Sequence, residues 1–350
     1  MSENAPVADR ATRRARTLTP DRTEPGWLSP FLAADGPVVL RGAASDWALV
    51  QAGLRSTQDA MALIRRFDAG RPLVCYRAAP ALKGRFFYDD TVTAMNFEAG
   101  RIPVADFLEE VSSYLGRTDV PSLYVGSTDI ETFFPGFRAE NDLPVGEDPK
   151  VAAPPLVSMW IGNRTTATAH HDMSNNVAVC AVGRRRFTLF PPDQIANLYP
   201  GPLEPTPGGQ VISMVDFKAP DLERFPRFEA ALRTAQVAEL EPGDVLLYPA
   251  MWWHHVEALD DFNVLVNYWW NAVPAYMDTP MNTLLHGLLS LRDRPEAEKR
   301  AWQALFDYYV FGPAERAGAH LPEGARGPLG PMDEGTARRL RRALLAKLNR

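Results

Sequence analysis

The chain has 350 residues, 46% of them hydrophobic, and carries 37 basic against 43 acidic side chains for a net charge of −6. This supplies a real core for one large or two modest domains, and the acidic balance argues against bulk nucleic-acid binding, which needs a basic face. Cys75 and Cys180 are the only cysteines, so no disulfide framework is implied and a reduced, cytoplasmic setting is expected; no segment approaches the ~20 apolar residues of a membrane span.

Residues 1–24, with Arg, Thr and Pro crowded between Arg10 and Arg22 and no apolar periodicity, are expected to form a disordered, solvated tail. Residues 36–42 read as a short buried strand closed by Gly42. Residues 56–68 place Met61, Leu63, Ile64 and Phe67 along a helix face. A second strand follows at 73–77, a second helix at 104–114 with Phe107, Leu108, Val111 and Leu115 on its apolar side, and a third strand at 122–126. From Pro155 to Pro274 the chain is mostly strand: 156–162, 176–183, 186–192, 244–249 and 262–270, the last expected to pair back across 244–249. Between Asp193 and Glu239 lies a long Pro- and Gly-rich excursion, a length that is usually functional or partner-facing. Short strands joined by turns predict a mainly β fold, a double-stranded β-helix of the jelly-roll or cupin type, with flanking helices. The expected domain runs over 25–274.

Beyond residue 275 the pattern becomes helical at 281–291, 296–311 and 333–347. Leu284, Leu285, Leu288, Leu289 and Leu291, then Trp302, Leu305 and Phe306, form an apolar stripe read as a lid or a homodimer interface, the dimer being preferred. The last helix is expected to bury Leu340, Leu344 and Leu348, with a solvated Arg face steadied by pairs such as Glu334 with Arg338.

Four of the six histidines stand in two pairs, in His170-His171-Asp172 and in Trp252-Trp253-His254-His255. Along a strand, residues i and i+2 share a face, so His170 and Asp172 converge while His171 turns away. A distant His254, after a Pro-Gly-Asp turn and a strand, completes a two-histidine, one-carboxylate set of the kind that holds Fe(II) and leaves the opposite positions open. In Arg184-Arg185-Arg186 the same alternation sends Arg185 opposite to its neighbours. A buried Arg needs an anionic partner, so an inward Arg185 predicts an anionic ligand. His255 is expected to face away into packing.

The segment from Thr168 to Pro274 resembles the JmjC-type, cupin-like Fe(II)/2-oxoglutarate oxygenases, and within them the asparaginyl hydroxylases of hypoxia-inducible factor. The motifs that carry it are A-H-H-D-x-x-x-N, G-R-R-R-F-T-L-F-P-P-D-Q, P-G-D-V-L-x-x-P-x-x-W-W-H-H-V-E and V-N-Y-W. The resemblance implies iron on His170, Asp172 and His254. It puts the distal carboxylate of 2-oxoglutarate on Arg185, where the family usually has Lys, with Tyr124 beside it. Asn176, Asn267, Thr168 and Trp269 are implied to line the cosubstrate. Where the family has Thr three residues before the first ligand, this chain has Ala167 and places Thr168 one position later, so that hydroxyl contact is expected to be missing. The implied reaction is hydroxylation with succinate and CO2 as co-products, demethylation remaining open. A protein side chain is the preferred substrate, with a small molecule or an RNA base left open. The rival readings are a cupin-fold metal enzyme that does not use 2-oxoglutarate and a catalytically inactive binding module.

Overall fold

A computed structural model describes residues 6–11, 13–24, 26–149 and 151–349. By contact the chain divides into two compact units, Met1–Ala272 and Val273–Arg350.

Among the described residues, fifteen strands build the first unit. They are β1 (Arg13–Arg14), β2 (Arg16–Leu18), β3 (Val38–Leu40), β4 (Leu73–Ala78), β5 (Arg85–Phe86), β6 (Glu98–Ile102), β7 (Ser122–Asp129) and β8 (Leu156–Gly162), then β9 (Thr166–His171), β10 (Asn175–Val182), β11 (Arg185–Phe190), β12 (Gln236–Leu240), β13 (Val245–Tyr248), β14 (Trp253–Ala258) and β15 (Asn263–Trp270). One sheet has the order β1-β12-β11-β14-β9-β5, and the other β2-β3-β13-β10-β15-β8-β7-β4-β6. The strand β15 therefore lies between β10 and β8, not beside β13: β10 intervenes, because its own apolar run pairs with both.

Side-chain alternation sorts these strands into layers. Val157, Met159 and Ile161 of β8, with Val177 and Val179 of β10, face an apolar layer. The helices Ala48–Arg55, Thr57–Arg66 and Val104–Tyr114 cover that layer with Leu49, Ile64, Phe107 and Leu108. Between the sheets, Phe187 and Leu189 of β11 meet Ala178, Leu246 and Tyr248 from the facing sheet. Burying one such Phe or Leu contributes about 1.5–3 kcal/mol. The outer face of the smaller sheet is closed by the excursion after β11, whose Leu198, Val215, Phe217 and Phe228 pack on Phe190 and Trp253. This is the jelly-roll arrangement.

Local chemistry fixes the ends of these elements. Ser56 caps the helix Thr57–Arg66, its Oγ accepting from the Asp59 N–H at 3.0 Å, a contact worth about 1 kcal/mol. Before β13, Asp244 accepts from the N–H groups of Gly42 and Glu241, each at 2.9 Å, and pairs with Arg41. Gly243 in that turn has φ +94°, and a Cβ there would stand 3.0 Å from the Ser45 Cα, so only glycine fits without a shift.

Three expectations are corrected. Residues 6–11 and 13–18 are not a solvated tail: Val7, Ala8 and Ala15 are buried, β1 pairs with β12 and β2 with β3, each in parallel. The pairing uses backbone groups, so Arg13, Arg14 and Arg16 stay exposed and leave almost no hydrophobic signature; residues 1–5 and 12 of the expected tail lie outside the described residues. The 193–239 excursion ends in a helix, Phe228–Leu232, and in β12. In the second unit, with helices Pro280–Ser290, Glu296–Tyr309 and Glu334–Leu348, Leu344 and Leu348 are about half exposed at 50% and 53%. The buried side chain of that helix is Thr336, near its N-terminus. Glu334 does pair with Arg338. Among the described residues, no helix is long and apolar enough to cross a membrane.

Candidate metal centre

His170 on β9 and His254 on β14 are direct cross-strand partners, with ring centroids 4.2 Å apart. Directly opposed residues point to the same face, here the space between the sheets. Asp172, just past the end of β9, joins them: one ligand atom from each residue lies within 4.8 Å of the others, and the His254 Nε2 is 3.7 Å from the Asp172 Oδ2. Both imidazoles are oriented by their own backbone. The His170 Nδ1 lies 2.8 Å from the Thr168 carbonyl and the His254 Nδ1 3.0 Å from the Trp252 carbonyl. A carbonyl only accepts, so Nδ1 carries the proton in each ring and Nε2 keeps its lone pair. Burial, then the neighbouring His170, hold the His254 pKa down to about 4, which keeps it neutral as a metal ligand must be. Three convergent donors with their tautomers set therefore fit a metal ion. The two ligand turns are also tied together, since the Met251 N–H donates to the Asp172 carbonyl at 2.8 Å.

The Asp172 carboxylate is held from the facing sheet. Asn176 Nδ2 donates to its Oδ2 at 3.0 Å and Trp269 Nε1 to the same oxygen at 3.1 Å. Asn176 and Trp269 are cross-strand partners on β10 and β15. Asn267 does not touch Asp172; its amide donates to the Asn176 Oδ1 at 3.4 Å.

Arg185 is 2% exposed, and its Nε and Nη2 have no hydrogen-bond partner. Its neighbours turn outward to ion pairs, Arg184 with Asp260 and Arg186 with Glu239. Burial pulls the Arg185 pKa down, opposed by Tyr124, while burial pushes the Tyr124 phenol up to about 12, opposed by Arg185. The two groups thus face each other. A buried guanidinium with unsatisfied N–H groups costs several kcal/mol unless an anion meets it.

The sequence pattern of the cupin-like domain matches residues 27–276. The chain belongs to the cupin-like, JmjC-type family. It is 34% identical over 150 residues to human HSPB1-associated protein 1, covering 41% of this chain and 30% of that protein. It is 30% identical over 129 residues to the Arabidopsis thaliana lysine-specific demethylase JMJ31, covering 35% of this chain and 23% of the other. A third relative, the zebrafish tRNA wybutosine-synthesizing protein 5, is 28% identical over 177 residues, 48% of each chain. The chain thus spans less than a third of the HSPB1-associated protein and about half of the wybutosine protein.

Against the family pattern, this cupin-like domain departs near the first ligand. Pairing of β9 with β14 is irregular between His254 and Val256, so the three steps from Ala167 to His170 lie opposite the two steps from Val256 to His254. The consequence is that Ala167 packs against the inter-sheet cluster, while the Thr168 hydroxyl is buried without a partner. The expected role of Thr168 has no hydrogen bond to support it. His171 meets Trp253 edge-on, and His255 stacks on Phe217 at 4.4 Å, both outside the triad.

Two residues at the site were missed from sequence. Tyr248 lies opposite Asn176 with its ring 4.8 Å from that of His254. Trp160 stacks on Tyr124 at 5.7 Å and meets Trp269 edge-on at 5.9 Å. The usable signal was parity: Ser158 and Trp160 alternate with Val157, Met159 and Ile161, so an aromatic sits on the polar side of the strand.

Proposed function

We propose that this chain is an Fe(II)- and 2-oxoglutarate-dependent oxygenase that hydroxylates a protein side chain, with succinate and CO2 as co-products. The observation that carries the reading is Arg185. A buried cation with two guanidinium nitrogens lacking a partner shares the inter-sheet space with a two-histidine, one-carboxylate cluster. Together they ask for a dianion whose one end neutralises the guanidinium and whose other end reaches the metal. Fe(II) chelated by the 2-oxo acid would supply the oxidising chemistry with dioxygen as the oxidant, one oxygen atom going into the substrate C–H bond and the other into succinate as CO2 leaves. The chain's own part is to hold and orient. Arg185 offers a planar fork to the distal carboxylate, Tyr124 adds a protonated phenol beside it, and the rings of Trp160, Trp269 and Tyr248 limit water at the triad.

The net charge of −6 favours a protein over a polyanionic RNA as substrate. The test is succinate formation from 2-oxoglutarate by the Fe(II)-loaded protein, with peptide pools and with tRNA added in parallel. Stimulation by peptides supports the reading. Stimulation by tRNA alone replaces the substrate class, and metal binding without any 2-oxoglutarate turnover points to a cupin metal enzyme of another type.

A homodimer through the second unit is part of the same proposal. Leu289 and Phe311 are 80% and 76% exposed, and Leu284, Leu285, Trp302 and Leu305 are exposed beside them in sequence. Obligate dimers typically bury on the order of 1,500 Å² or more of such surface. Light scattering at micromolar concentration should report a dimer, and Leu289→Glu or Leu305→Glu a monomer. A monomeric unaltered protein refutes it.

A further inference from the structure

Trp160 makes a contact that packing alone does not require. Its Nε1 donates to the Asn267 Oδ1 at 2.6 Å, and the chain continues from Asn267 Nδ2 to Asn176 Oδ1 and from Asn176 Nδ2 to Asp172 Oδ2. Polarity is forced at both ends. An indole N–H only donates and a carboxylate only accepts, so the two amides between them have a single orientation that satisfies every link. Reversing either amide would set two acceptors or two donors against each other in a site where Asn176 and Asn267 are 1% and 3% exposed, and water is not at hand to repair the loss. The neighbouring strand β7 has made room for this indole: a Cβ on Gly126 would lie 2.5 Å from its ring.

We propose that Trp160 is a positioning residue for the metal centre, setting the direction of a hydrogen-bond chain that ends on Asp172. The inference rests on the reading of the triad as a metal site. It assigns to Trp160 an influence on a ligand it does not touch, because Asn176 can donate steadily to the carboxylate only while Asn267 keeps its own amide turned toward Asn176.

The test uses Co(II) as the probe, titrated into the full chain by calorimetry and by its visible absorption, with His170→Ala as the control for the triad. Trp160→Phe keeps the ring and removes only the donor. It should weaken Co(II) binding on the order of 10-fold, as removal of outer hydrogen-bond partners does, and shift the absorption of the bound ion. Asn267→Leu should do the same, and the double variant should be no weaker than the worse single one, since both break one chain. A purely structural Trp160 predicts a lower Tm with affinity and spectrum unmoved. Less than roughly a 3-fold loss in Trp160→Phe, or additive losses in the double variant, overturns the proposal. If Trp160→Phe does not fold, an unchanged affinity in Asn267→Leu overturns it instead. An unaltered protein that takes up no more Co(II) than His170→Ala overturns the metal reading itself, a result distinct from the others.

Discussion

In one sheet, β9, β11 and β14 carry His170, Arg185 and His254 toward the inter-sheet space; in the facing sheet, β8, β10 and β15 carry Trp160, Asn176, Asn267 and Trp269. The first set ends in groups with unused bonding capacity, two imidazole lone pairs and a guanidinium whose Nε and Nη2 have no partner. The second set is joined in hydrogen bonds to Asp172 or to each other. Unused capacity marks where a ligand would bind; satisfied capacity marks what holds the site in shape. Substitutions in the first sheet should therefore remove binding, and those in the second should grade it.

The largest effect is expected at the triad. His170→Ala should abolish stoichiometric metal binding in calorimetry while leaving the melting temperature of the apo-protein nearly unchanged, because the imidazole lies outside the apolar layers. Asp172→Ala should abolish it as well but with a lower melting temperature, since Asn176 and Trp269 lose their acceptor. Arg185→Ala comes next. It should raise the 2-oxoglutarate requirement about 30- to 1000-fold, from a loss of roughly 2–4 kcal/mol of charge-assisted bonding, with metal affinity unmoved; Arg185→Lys should recover part of this. An unchanged requirement would send the anion elsewhere and end the comparison in its present form.

In the facing sheet, Asn176→Ala should weaken metal binding by about 10- to 100-fold, short of abolition, and a complete loss would show that both sheets contribute on equal terms. The smallest effect belongs to His255→Leu. His255 shares β14 with His254 but points outward, buried with neither ring nitrogen bonded, and burial drives its pKa down to about 3. Replacing an unsatisfied polar ring by an apolar side chain should leave metal binding intact and the Tm equal or higher. A drop in metal affinity there would mean that facing, on its own, does not separate the two sets.

The strand period made much of this legible. Parity alone separated His170 from His171, Arg185 from its two neighbours and, with the turn at Gly243, brought His254 to the same side. For Trp160, parity with Ser158 marked its face of the strand, but the room for its ring was not legible, because the sequence does not show that Gly126 of the neighbouring strand lies at that level. Thr168 misled for a related reason: the irregular pairing near His170 restores Ala167 to the interior, and a one-residue irregularity has no mark in composition. The N-terminal strands were missed because their stabilisation lies in backbone pairing, which arginines permit without advertising.

Those strands have a further consequence. β1 and β2 are adjacent in sequence yet lie at the outer margin of different sheets, β1 on β12 and β2 on β3. A chain lacking residues 6–18 would present two unpaired strand edges at once, one to either side of Ala15. Exposed edges recruit other strands, so such a chain is expected to self-associate as it folds, and its solubility would report on the clasp more sensitively than its activity.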